Sequence, residues 1–207
     1  MKTIINGLVM SVLATLMLTG CTPRSKYEQK LKNELARGVR CDSLFMGVYL
    51  GMPVKEFYSH CWDLNKKGKI KQGKTNTSVE YQLKTELKFP ATMDFYPTFV
   101  EGKISEMPVR FAYNGWAPWN KKLSSENLEQ DVLQWYEKVY GKGFMKIKHP
   151  EKGIAYVKID GNRRISIFKE DDLFVWAVFT DMLTKKELTD SKSIINTHID
   201  IKKDTIR

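Results

Sequence analysis

Apolar and polar positions follow two rhythms along this chain, and the rhythms recur in the same order. Val54, Phe57, Tyr58, Cys61 and Leu64 fall at helical spacing and predict one apolar stripe. Pro53 suits the first helical position, while Lys66, Lys67 and Gly68 close the helix with basic groups and a glycine cap. From Val79 the period becomes two. Val79, Tyr81, Leu83, Thr85, Leu87 and Phe89 face one way, and Glu80, Gln82, Lys84, Glu86 and Lys88 the other, until Pro90. That alternation predicts a half-buried antiparallel strand. Met93–Val100 and Lys103–Tyr113 predict a hairpin about Glu101-Gly102, with Pro97 and Pro108 marking edges or bulges.

A second helix is expected from Ser124 or Ser125, with Glu126, Glu129 and Asp131 favouring its first turns. Leu128, Val132, Trp135 and Val139 form its stripe, widened by Tyr136 and Tyr140, and Gly141 stops it. Strands near 144–148, 154–160, 163–169 and 173–180 follow, with Asp160-Gly161 as a two-residue turn and Glu170-Asp171-Asp172 as the next reversal. A short strand at Phe45–Leu50, ended by Gly51-Met52-Pro53, precedes the first helix. Helix then strands, around 50–114 and again around 124–180, predicts an α+β fold: an antiparallel sheet with two amphipathic helices on one face. The globular domain is expected at 44–183. Residues 21–43 read as a basic tether (Arg24, Lys26, Lys30, Lys32, Arg37, Arg40), with Leu31 and Leu35 its only helical hint. Residues 184–207 read as a polar basic tail with weak alternation at Ile195, Ile199 and Ile201.

The N-terminus changes the picture. After Met1-Lys2-Thr3 comes an apolar run from Ile4 to Leu18, interrupted by Asn6, Gly7, Ser11 and Thr15 and ending Leu18-Thr19-Gly20-Cys21. A charged start, a short apolar core and small residues at its end predict a secretion signal over residues 1–20. The run falls short of the roughly 20 apolar residues of a membrane span. Its ending resembles the lipobox of bacterial lipoproteins. The resemblance implies cleavage before Cys21 and a lipid (diacylglyceryl, palmitate-type) on its thiol, and two acyl chains suffice for stable anchoring. Thr22 stands where an inner-membrane retention signal would place Asp, so the same resemblance implies the periplasmic face of the outer membrane. Leu50-Gly51-Met52-Pro53-Val54-Lys55-Glu56-Phe57 resembles the helix start of small periplasmic lipoproteins of the BamE/SmpA type. The repeated helix-plus-strands order is similar to the β-lactamase-inhibitor-like architecture. Both resemblances imply a fold and no functional residues.

The 207 residues carry 34 Lys+Arg against 24 Asp+Glu, a net charge of +10, which falls to +9 when the leader takes Lys2 with it. In the envelope such a balance suits anionic membrane, lipopolysaccharide or acidic polymers, and nucleic acid is not an expected partner. With Cys21 lipidated, Cys41 and Cys61 are left as a candidate disulfide in an oxidising compartment, or as two buried free thiols.

Candidate chemistry is sparse. The chain has no Gly-x-Ser-x-Gly elbow, no His-Glu-x-x-His and no glycine-rich phosphate loop. Its three histidines are His60, His149 and His198. His60 and Cys61 are adjacent on a helix and point about 100° apart, a poor start for a shared site. No enzyme activity, cofactor or metal site is expected. Two binding features stand out. Lys66, Lys67, Lys69, Lys71 and Lys74 form the densest basic cluster, suited to anionic head groups or to a solvated loop. Tyr113-Asn114-Gly115-Trp116-Ala117-Pro118-Trp119-Asn120 sets Tyr113, Trp116 and Trp119 in one loop, suited to a stacking platform or to packing under the sheet. The expectation is a lipid-anchored, non-enzymatic envelope protein that binds a protein partner or serves envelope assembly. The alternatives are a glycan or anionic-lipid binding module, or an inhibitor of an envelope hydrolase.

Overall fold

The computed structural model describes residues 23–75, 77–149, 153–185 and 187. The leader, Cys21, the side chain of His149, His198 and the isoleucines of the tail lie outside the described residues. The chain forms α1 (Pro23–Ala36), α2 (Val54–Lys66), β1 (Lys71–Gln72), β2 (Val79–Leu83), β3 (Ala91–Phe95), β4 (Thr98–Val100) and β5 (Lys103–Tyr113). A 3-10 turn at Lys121–Leu123 then leads into α3 (Ser125–Tyr140), β6 (Met145–His149), β7 (Gly153–Asp160), β8 (Arg163–Lys169) and β9 (Val175–Asp181).

Among the described residues nine strands join one sheet in the order β1-β2-β3-β5-β9-β8-β7-β6, with β4 alongside β5. Every pairing is antiparallel. The fold is therefore α+β and consists of two halves, α2 with β1–β5 and α3 with β6–β9. They join through their last strands, Glu106–Phe111 against Val175–Thr180. Period-2 alternation turns Met93, Phe95, Val109, Phe111, Ala177 and Phe179 onto one face, where Phe57 of α2 and Leu128, Val132 and Tyr136 of α3 close the core. The opposite face is polar and aromatic, with Arg110 lying 4.4 Å over the Phe174 ring.

Residues 23–36 are not a tether. They form α1, whose Tyr27 and Leu31 pack on Ala155, Val157 and Ile159 at the β6–β7 end of the second face. Buried Glu34 fastens it, accepting hydrogen bonds from Lys30 (2.6 Å) and from the Gly161 amide (3.1 Å), with Arg37 adding an ion pair. Gly161 is at the expected Asp160-Gly161 turn. Its φ is +54° and an added Cβ would lie 2.2 Å from the Val39 carbonyl oxygen, so only glycine fits. Asn162 extends the seam, accepting from the Cys41 amide at 2.7 Å and donating to Asp42 at 2.9 Å.

Two further expectations are corrected. Phe45–Leu50 is a tight turn, with Met46 and Gly47 at positive φ and the Leu44 amide bonded to Val48 O, although Leu44, Val48 and Leu50 are core residues. The strand begun at Val79 stops at Leu83. The Glu86 carboxylate takes the amides of Lys84 and Thr85, and Leu87 reaches the core from a turn. Pro97 separates β3 from β4, which make one bent strand along β5. Pro108 falls in the β5 stretch that neither β3 nor β4 covers, and the bulge lies before it at Ser105, where Thr98 pairs with Glu106 and Phe99 with Ile104.

Candidate functional site

The two binding features part company in three dimensions. In the loop, Tyr113 turns inward, 3% exposed, and its hydroxyl donates to Asp131 of α3. Burial, and then that carboxylate, push the phenol well above its ordinary value. Asn114 is tied to Pro90 O, Gln82 and Thr92, while Trp119 stands 84% exposed and Trp116 is half-buried. Among the described residues neither indole stacks on another ring.

The basic cluster borders two adjoining hollows between α2 and the β1–β2 edge, of about 280 and 530 Å³, with Ile70 and Lys71 lining both. They arise because β1 is only two residues long. Its ladder covers Val79 and Glu80, then the chain leaves the edge at Ile70, which sinks into the protein as its carbonyl accepts from Asn65. The smaller hollow is apolar and aromatic. Phe57 forms its floor, meeting Tyr58, Tyr96 and Phe99 edge-on at ring separations of 5.8, 6.2 and 6.0 Å. The Tyr58 and Tyr96 hydroxyls share a 2.5 Å hydrogen bond, and that bond, with burial, pushes Tyr96 up to about 12. Tyr58 and Trp62 remain 51% and 62% exposed. Lys66 Nζ lies 5.4 Å from the Trp62 ring centre, within reach of a cation–π attraction.

Lys71 lines both hollows and pairs with buried Glu80 at 2.8 Å. Burial alone would raise the Glu80 carboxyl, yet Lys71 and Gln82 hold it below its ordinary value. Lys69 lines the larger hollow, while Lys66, Lys67 and Lys74 stand exposed around the pair. Of the five lysines, Lys66 and Lys71 thus adjoin the aromatic hollow, and Lys69 and Lys71 the larger one, which the carboxylates of Glu80 and Glu86 also line.

The cysteines do not pair. Cys61 lines the aromatic hollow, whereas the Cys41 sulfur sits beside Gly161 at the β7–β8 turn, and both are free thiols. Several strands of the sheet separate those places, far beyond the Cα spacing of about 7 Å that a bridge tolerates. Burial pushes the Cys61 thiol up to about 11, so it stays protonated at neutral pH. His60 points away from it and bonds Met46 O at 2.6 Å, pinning the turn before α2.

Trp62, Tyr96 and the outward turn of Tyr58 are the groove residues that pattern reasoning passes over. One signal was present: Tyr58, Trp62 and Lys66 repeat every four residues, a second stripe beside the core stripe. Comparison of the chain with protein-family models, curated proteins and solved structures returns no match.

Proposed function

We propose that this chain is a lipid-anchored envelope protein, held at Cys21, that acts without catalysis by binding an acidic segment of another envelope protein in the α2–β1 groove. The observation carrying the proposal is the pairing of exposed Tyr58 and Trp62 with Lys66 over the Trp62 ring and Lys71 at the margin of the aromatic hollow. Aromatic anchors beside a shallow pocket are the usual energetic centre of a protein interface. The apolar hollow, about 280 Å³, falls below the range of about 300–1,000 Å³ that encloses a small ligand and suits one or two inserted side chains. The lysines favour an acidic partner and speed its approach. The Leu18–Cys21 lipobox supports the anchor, and outer-membrane placement rests on Thr22.

The test titrates the full chain with an acidic peptide containing aliphatic residues, with a neutral oligosaccharide and with anionic vesicles. The expected result is peptide binding that weakens as salt rises and falls at least tenfold in Tyr58→Ala/Trp62→Ala, from two anchors worth upwards of about 1 kcal/mol each. Equal peptide affinity in the double variant, or binding of the oligosaccharide or vesicles alone, overturns the groove reading.

A further inference from the structure

The link between the lipidation position and the domain has no slack. Cys21 and Pro23 are two residues apart, and two steps of about 3.8 Å allow about 8 Å at most. Pro23 begins α1, which is held in place along its length. Tyr27 and Leu31 pack on β7, the Tyr27 hydroxyl accepts from Arg164 at 3.3 Å, and Glu34 is bonded to the Gly161 turn. An acyl group on Cys21 therefore pulls the α1–β6 end of the domain against the lipid head groups.

That end is basic. α1 presents Arg24, Lys26, Lys30 and Lys32, and at the sheet edge beside it β6 adds Lys146 and Lys148, which project to the face opposite α1, so that the edge is basic on both sides. Arg24 and Lys30 are paired with Glu28 and Glu34, whereas Lys26, Lys32, Lys146 and Lys148 make no ion pair among the described residues. Tyr27, Leu31, Glu34 and Leu35 occupy the inner side of α1, which turns Lys26 and Lys32 outward. The groove lies at the other edge of the sheet. Seven strand spacings of about 4.8 Å place it roughly 30 Å away along the sheet.

Resting on the lipid-anchor reading above, we infer that α1 and β6 form a seating surface for an anionic leaflet and hold the aromatic groove on the membrane-distal edge. The domain then sits in one orientation instead of swinging on a tether. The lysines that border the groove serve a partner approaching from the aqueous side, and those of α1 and β6 serve the membrane.

Amide hydrogen exchange on the full-length protein tests this in detergent micelles, in vesicles containing anionic lipid and in neutral vesicles, with the mass of the Cys21 peptide measured on the same samples. The expected result is slower exchange in α1 and β6 in anionic vesicles alone, with Lys66–Lys74 unchanged. Lys26→Glu/Lys32→Glu should undo the slowing by about fivefold for each lysine facing the leaflet. Uniform exchange across the three samples, or protection centred on Lys66–Lys74, overturns the seating surface. An unmodified Cys21 overturns the anchor reading itself and is distinguishable from a lipidated protein whose α1 stays unprotected.

Discussion

In the second half of the molecule α3 sinks Leu128, Val132 and Tyr136 into the core, whereas in the first half α2 buries only Phe57 and Leu64 and turns Tyr58 and Trp62 outward. The outer strands differ in the same sense. β6 is paired along all five residues and carries α1 beside it, while β1 lasts two residues and leaves hollows behind it. One plan, a helix followed by a four-step meander, is thus packed more deeply along its helix in one half, although a hollow of about 340 Å³ lies beside Trp135 and Tyr140 of α3, and left open at its outer strand in the other. The more deeply packed half also seats α1, and the other leaves Tyr58 and Trp62 exposed.

The largest test of that division is Tyr136→Ala, which removes a fully buried ring packed on Phe111, Tyr140 and Phe179. It should cost about 3–5 kcal/mol in urea unfolding. Tyr58→Ala/Trp62→Ala should cost under about 1 kcal/mol, as exposed positions do. Comparable losses from the two changes would erase the distinction between the halves.

Next in size is Glu34→Ala, expected to cost about 1.5–3 kcal/mol through its charge-assisted bonds and to free α1 for proteolysis while the sheet persists. The bond from Lys30, then that from the Gly161 amide, holds the Glu34 carboxyl below its ordinary value of 4.5 despite burial. Its stabilisation is therefore complete above that ordinary value and fades as pH falls through the lowered one. Protease sensitivity of α1 in the wild type should rise at acid pH and stay flat with pH in Glu34→Ala. Smallest is Trp119→Ala, which should shift stability by no more than about 0.5 kcal/mol and leave groove binding intact. A loss of binding there would move recognition back to the loop.

Much of the fold is legible in the residue pattern because α2, α3 and the strands of the second half bury regular stripes. The ends of β8 at Arg163 and Lys169 and the Asp160-Gly161 turn fall where the pattern puts them. α1 escapes because a decisive inward residue is a glutamate. A sequence does not reveal that a carboxylate will be buried and satisfied by Lys30, Arg37 and an amide 127 positions away. The alternation from Val79 to Phe89 overruns its strand because Glu86 caps a turn that period 2 cannot register. The basic rim of the groove was visible as a cluster of lysines. Its aromatic part is marked only by the four-residue repeat of Tyr58, Trp62 and Lys66, and stripe counting does not separate an outward Tyr58 from an inward one.

Cys61 gives the groove a chemical gauge of occupancy. Its thiol lines the aromatic hollow with a value near 11, so alkylation is slow at neutral pH and quickens steadily toward alkaline pH. Anything seated between Tyr58, Trp62 and Tyr96 covers that sulfur, while Cys41, at the β7–β8 turn, stays outside the footprint and serves as the internal standard. The ratio of label on the two thiols should therefore fall as the groove fills, and report residence without any added tag.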